Sequence, residues 1–160
     1  MIQVKIFSLA LDSFTKAPIV ILTDLKEKKC LPIWIGIFEA NSIMIAINNI
    51  QITRPLTHDL MIDLISKLGG ALESIYITSV KDGVYYAEIQ LRREEEVIKI
   101  DARPSDSIAL AVRKQVPIFI SKELEMSMVG LDEFRSKIVD EHLKSILDNL
   151  KEDDFGKYKM

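Results

Sequence analysis

The sequence predicts an α+β fold: duplicated three-strand-plus-helix units form a mixed or antiparallel sheet packed with helices, and a further helix follows at the C-terminus. Three observations lead there. Apolar and polar residues alternate at a strand's period of two in several short runs, as in Ile2, Val4 and Ile6 against Gln3 and Lys5. Twice, after a third such run, the spacing changes to helical, once near Ile37 and once at Pro104. Laid over each other at one constant offset, the two junctions match Ile33 with Ile98, Ile35 with Ile100, Ser42 with Ser107, Ile43 with Ile108 and Ala46 with Ala111. Neither unit can bury its sheet face alone, so the pair is expected to close on itself as one domain.

Taken in order, residues 2–11, 18–23 and 30–36 read as strands, with turns at 12–17 and 24–29. Pro32 suits a strand start or an edge. A helix follows from Ile37, with Ile43, Ala46 and Ile47 on one face, Glu39 in its first turn and Asn48-Asn49 closing it. Arg54-Pro55-Leu56-Thr57-His58-Asp59-Leu60 leads into a second helix, with Thr57 as the expected N-cap. Its buried stripe is expected at Leu60, Leu64, Ile65 and Leu68, and Gly69-Gly70 provides the left-handed stop. Strands at 72–80 and 84–92 are joined by the turn Lys81-Asp82-Gly83, and residues 97–102 form the next strand. Pro104 opens a helix, because it has no N–H to lose at the first helical position and its φ is already set. Residues 116–120 give a short strand, and 131–150 a helix with Phe134, Ile138, His142 or Leu143, Ile146 and Leu150 on one side. This divides the chain into a domain over 1–125 and a helical appendage over 126–160 of the same globular unit.

Composition narrows the function classes. The chain has 160 residues, 48% hydrophobic and 28% charged, enough apolar material for a real core. No run approaches a membrane span, and the N-terminus alternates like a strand rather than a signal peptide. A single cysteine, Cys30, excludes an internal disulfide and a cysteine-built zinc site, and accords with a cytoplasmic protein. With a net charge of −3, any contact with a polyanion must be local rather than spread over a basic face.

The charged residues collect at helix starts. Glu39, Asp59 and Asp106 fall in first turns, Arg54 and Arg103 each stand directly before a proline, and Asp101 ends a strand. One reading is structural: acids at a helix N-terminus gain about 0.3–1 kcal/mol each from the macrodipole, and an arginine beside them pairs with them. The other is chemical. Free N–H groups at a helix start, such as those around Ser105, attract anions, and the forks of Arg54 and Arg103 would complete a phosphate cradle. Asp101 and Asp106 could then hold Mg²⁺ or Mn²⁺, with a cation expected beside the helix axis, and His58 could move a proton near neutral pH. Trp34 and Phe38 read as core, His142 as surface or packing, and neither Ser105 nor Ser107 has the setting of a hydrolase nucleophile.

Leu31-Pro32-Ile33-Trp34-Ile35-Gly36 followed by Glu39-Ala40, then Arg54 to Leu60, then Asp101-Ala102-Arg103-Pro104-Ser105-Asp106-Ser107-Ile108-Ala109-Leu110-Ala111 resemble, in order and spacing, the bifunctional nuclease family over residues 2–125. The resemblance implies DNase and RNase activity. On it the expected function is divalent-metal-assisted phosphodiester hydrolysis of nucleic acid with low sequence specificity. Glu39, His58, Asp59, Asp101 and Asp106 are the catalytic candidates, and Arg54, Arg103 and Ser105 the phosphate-binding ones. The alternative is a non-catalytic module that holds a small anionic ligand or a protein partner at the same corner. Apolar residues expected to be exposed on the first strand and last helix point to a homodimer or higher homo-oligomer.

Overall fold

The alternating runs of the first half form β1 (Ile2–Asp12), β2 (Pro18–Asp24) and β3 (Lys29–Trp34), followed by α1 (Ile37–Ile47), in a computed structural model that describes residues 1–139. After α2 (Thr57–Lys67) the plan repeats as β4 (Ala71–Lys81), β5 (Val84–Arg93), β6 (Glu96–Ala102) and α3 (Pro104–Lys114). Then come β7 (Ile118–Ile120), α4 (Lys122–Met126), β8 (Val129–Gly130), α5 (Leu131–Arg135) and β9 (Ile138–Val139). The strands make one mixed sheet in the order β6-β5-β4-β7-β1-β2-β3-β8, with β9 also on β1. Each repeat supplies an antiparallel three-strand meander, and β7 joins them, parallel to β4 and antiparallel to β1. Asp82 and Gly83 both have positive φ, as a two-residue hairpin loop requires.

Both faces of the sheet centre are covered. Val20 and Leu22 of β2 belong to the main core with Leu31, Ile33, Ile43, Ile75, Ile77, Ile108 and Leu110, under the helices of the two repeats. Ile19 and Ile21, on the opposite face, pack with Cys30, Leu131 and Phe134 under α5. That is why β2 reads as an unbroken apolar run rather than an alternating one.

Several expectations are corrected. Leu56, not Thr57, is the N-cap of α2, and Thr57 is its first helical residue. Of the expected stripe of α2, Ile65 packs on the core but Leu60, Leu64 and Leu68 are exposed, and the helix faces the protein through His58, Ile62 and Ile65. Those three recur at four and then three residues, a helical face displaced from the leucine stripe. Trp34 is half exposed, its indole N–H donating to Asp12, and Phe38 is 82% exposed. On α1 the buried face holds Ile43 and Ile45, with Ile47 exposed. The first strand, expected to expose apolar residues, is central in the sheet and puts Val4, Leu9 and Leu11 in the core. The last helix starts at Leu131 as read, but α5 ends at Arg135 and Ile138 pairs with Asp12 in the sheet. The remainder of that expected helix, with His142, lies outside the described residues.

Candidate functional site

The repeat places the starts of α1 and α3 together, α2 between the repeats adds a third, and each carries an acid at its third residue: Glu39 on α1, Asp59 on α2 and Asp106 on α3. The sequence alignment of the repeats set Glu39 against Pro104, two residues out of step. By helix position Glu39 matches Asp106, and the N-cap Gly36 matches the N-cap Arg103. The difference between the copies is therefore one guanidinium. At Gly36 a Cβ would collide with the Glu39 carboxylate, so the residue that lacks one lets that acid fold back over its own helix start.

Arg103 bridges the two matching acids. Its Nε donates to Asp106 Oδ2 at 2.7 Å and its Nη2 to Asp106 Oδ1 at 3.1 Å, while Nη1 donates to Glu39 Oε1 at 2.9 Å. Asp106 Oδ1 also accepts from His58 Nε2 at 3.1 Å, and His58 Nδ1 lies 2.8 Å from Ser42 Oγ. Ser42 Oγ in turn accepts from Arg113 Nη2 at 3.2 Å, and Arg113 Nε donates to Asp59 Oδ1 at 2.6 Å. One polar chain thus runs from Glu39 to Asp59 across α1, α2 and α3. Its ends differ in exposure: the Arg103 side chain is 66% exposed and that of Arg113 only 8%.

Burial would raise the Asp106 carboxyl, but the hydrogen bonds from Arg103 and His58 outweigh it and hold the group below the usual carboxylate range. Asp59 behaves alike: burial is opposed by the bond from Arg113 and by the Leu56 N–H, and the net shift is downward. Arg103 is pushed up, first by its bonds to Asp106.

An open cleft of about 630 Å³ receives the Arg103 end. Glu39, Ser42, His58, Arg103 and Asp106 line it, with Phe38, Met61, Ile89 and Ile100 as an apolar wall. Asp101 stands at its rim. Alternation along β6 puts that residue on the Lys99 face, opposite Ile98 and Ala102. Arg54 and Asp59 line a different hollow, shared with Asp63, Val112 and Arg113. Ser105 is buried behind the Arg103 corner. Among the described residues no three histidine, cysteine or acidic side chains gather as a metal-holding group. Asp106 already faces Arg103 and His58 with its oxygens, so the donors present do not form a ready-made site for Mg²⁺ or Mn²⁺.

Of the sequence-read candidates, Glu39, His58, Asp101, Arg103 and Asp106 come together, while Asp59, Arg54 and Ser105 do not reach the cleft. Ser42 and Arg113 were missed. Ser42 sits in an apolar helical run and reads as a small core residue, and Arg113 occupies a helix C-terminus, where any basic residue is favourable.

The sequence profile described as the bifunctional nuclease domain matches residues 20–130. The chain belongs to the bifunctional nuclease domain family. An uncharacterized protein of Mycobacterium tuberculosis is 35% identical over 96% of this chain and 97% of its own length. Bifunctional nuclease 2 of Arabidopsis thaliana is 33% identical over 61% of the chain, and bifunctional nuclease 1 of Oryza sativa subsp. indica 33% over 55%. The matched stretch makes up 30% and 28% of those plant proteins. The match runs from within β2 past α3, so the Glu39–Arg103–Asp106 bridge, the His58 link and the cleft all fall within the bifunctional nuclease domain.

Proposed function

We propose that this chain hydrolyses phosphodiester bonds of DNA and RNA, without strong sequence preference, in the cleft at Arg103. One observation carries the reading: an exposed guanidinium beside an exposed aromatic ring, Phe38, with a histidine–carboxylate pair behind them. A guanidinium fork suits a phosphate and a ring face suits an unstacked base, and together they serve single strands. The contact from Arg103 to Glu39 is single and exposed, the kind of ion pair worth about 0–1 kcal/mol, so an incoming phosphate can displace Glu39 at small cost. The paired bonds to Asp106 meanwhile keep the fork in place. His58 is the group available to take up a proton, with Asp106 orienting it.

The local nature of this cation accords with the acidic chain, since binding through one arginine and one ring needs no basic surface. Magnesium commonly uses one or two carboxylates together with substrate phosphates and water. Mg²⁺ and Mn²⁺ are therefore assay variables, and no step is assigned to them. Assembly as a homodimer or higher oligomer through the leucine face of α2 belongs to the same reading, as does a cytoplasmic location, with which the buried free thiol of Cys30 accords. No helix among the described residues is long and apolar enough to cross a membrane.

The test is cleavage of single-stranded and duplex DNA and RNA by highly purified protein, with Mg²⁺, Mn²⁺ or EDTA. Arg103→Ala and Asp106→Ala are expected to lower kcat/KM by about a hundredfold, the range of a lost acid–base or clamping group. Cleavage that survives both substitutions comes from elsewhere. The apolar wall beside Arg103 also fits a second reading, a non-catalytic pocket for a small anion with an apolar body. It predicts that nucleotides raise the Tm while no substrate is cut.

A further inference from the structure

We propose that Ser42 is the nucleophile of this site, driven by a Ser42–His58–Asp106 triad, and that the reaction passes through a covalent phosphoseryl intermediate. This rests on the nuclease reading for its substrate and goes beyond it in naming the attacking atom.

The proton arrangement is set by the partners. Arg113 has only donors, so Ser42 Oγ accepts from its Nη2 and keeps its own hydrogen for another acceptor. The Asp106 carboxylate can only accept, so the His58 Nε2 facing it carries the hydrogen. In the neutral imidazole that leaves Nδ1 free to accept, and the atom 2.8 Å from it is Ser42 Oγ. A hydroxyl aimed at one histidine nitrogen, with a carboxylate on the other, activates serine on unrelated folds and is recognised by geometry rather than sequence order; here the nitrogens are exchanged, Nδ1 facing the serine and Nε2 the carboxylate, and the direction of proton relay is the same. Ser42 and His58 are themselves buried, and three features distinguish them from a network that only braces the helices. Ser42, His58 and Asp106 all line the open cleft, next to the exposed Arg103. The triad spans three helices brought together only by the fold. And Ser42 Oγ is also held by Arg113, a guanidinium shielded from solvent, which favours the alkoxide that attack requires.

The chemistry balances. Ser42 gives its proton to His58 Nδ1 as Oγ bonds to phosphorus, and the P–O bond to the leaving nucleoside breaks on the far side. The leaving oxygen takes a proton from a cleft water. The hydroxide equivalent so formed attacks phosphorus from the vacated side, and Ser42 Oγ departs with the proton returned by His58. One diester and one water become one phosphomonoester and one alcohol. Arg103 faces the non-bridging oxygens, while Arg113 acts through Ser42 as a positioning residue.

The experiment uses an alkyl fluorophosphonate, which reports serine nucleophilicity without any nucleic acid. The full chain is incubated with the probe, digested and mapped by mass spectrometry. The expected result is a covalent adduct on Ser42, formed about a hundredfold more slowly in His58→Ala, the usual size of a general-base contribution. No adduct on Ser42, or labelling that His58→Ala leaves unchanged, overturns the proposal. Nucleic acid cleavage is measured in parallel on Ser42→Ala, with its melting curve as a folding control. If wild type and a folded Ser42→Ala cut equally, the nucleophile is wrong and the nuclease reading stands. If Ser42 is labelled but wild type cuts nothing, the triad stands and the nuclease reading falls. Should Ser42→Ala not fold, Ser42→Cys keeps the test open: its thiol is expected to react with iodoacetamide in a His58-dependent way, and indifference to His58 counts against the triad.

Discussion

At the scale of single residues, Arg103 and Arg113 show how one side-chain type serves two ends. Arg103, itself largely exposed, holds its acids at the edge of the solvent, where exchange is easy, and the shielded Arg113 holds Asp59 and Ser42 where exchange is costly. Replacing Arg113 by Met should therefore lower the Tm clearly, by an amount equivalent to about 2–3 kcal/mol, because it leaves a part-buried carboxylate and a hydroxyl without their donor. Thermal melts check it, and a loss within error would mean that water replaces the guanidinium. Asp59 gives a pH signature. Its folded carboxyl lies below the ordinary 3.8, so its contribution is complete above that value and disappears as pH falls through the lowered one. Asp59→Asn is expected to be less stable than wild type at pH 7 and to converge with it in acid below the ordinary value. Urea midpoints across that range decide it, and a gap that persists in acid would place the loss in packing rather than charge.

At the scale of elements, most strand and helix bounds could be read because alternation, Pro104, the Asp82-Gly83 turn and Gly69-Gly70 are local signals. The short pieces β8 and β9 had no such signal, being held by neighbours rather than by their own pattern, and α4 has only the Ser121 cap to mark it. The face of α2 was misread for a different reason: periodicity reports that a helix has an apolar stripe, not what lies against it. The site was half legible. Acids and arginines at helix starts stood out, while Ser42 and Arg113 acquire meaning only from residues far away in the chain. The stripe itself makes a prediction. If Leu60, Leu64 and Leu68 mediate self-association, Leu64→Glu with Leu68→Glu should reduce the mass seen by light scattering to that of one chain. A wild-type protein that is already monomeric at high concentration would leave that face without an oligomeric role.

At the scale of the whole molecule, β7 and β1 join the repeats into one sheet and one main core, so the halves should unfold together. Ile75, fully buried on β4 in the second repeat, and Trp34, the one tryptophan, in the first, allow a direct check. Ile75→Ala should cost about 2–5 kcal/mol and shift the urea midpoint seen by Trp34 fluorescence as much as that seen by circular dichroism. A tryptophan midpoint that stays put would mean that the two halves melt separately.

The glycine at one repeat's helix cap and the arginine at the other's also bear on what a smaller protein could do. Two identical half-length chains joined as a symmetric pair would carry either no guanidinium at this corner or two facing each other. A continuous polypeptide holding both versions sets a single cation between two carboxylates, an asymmetry that a pair of identical chains is denied.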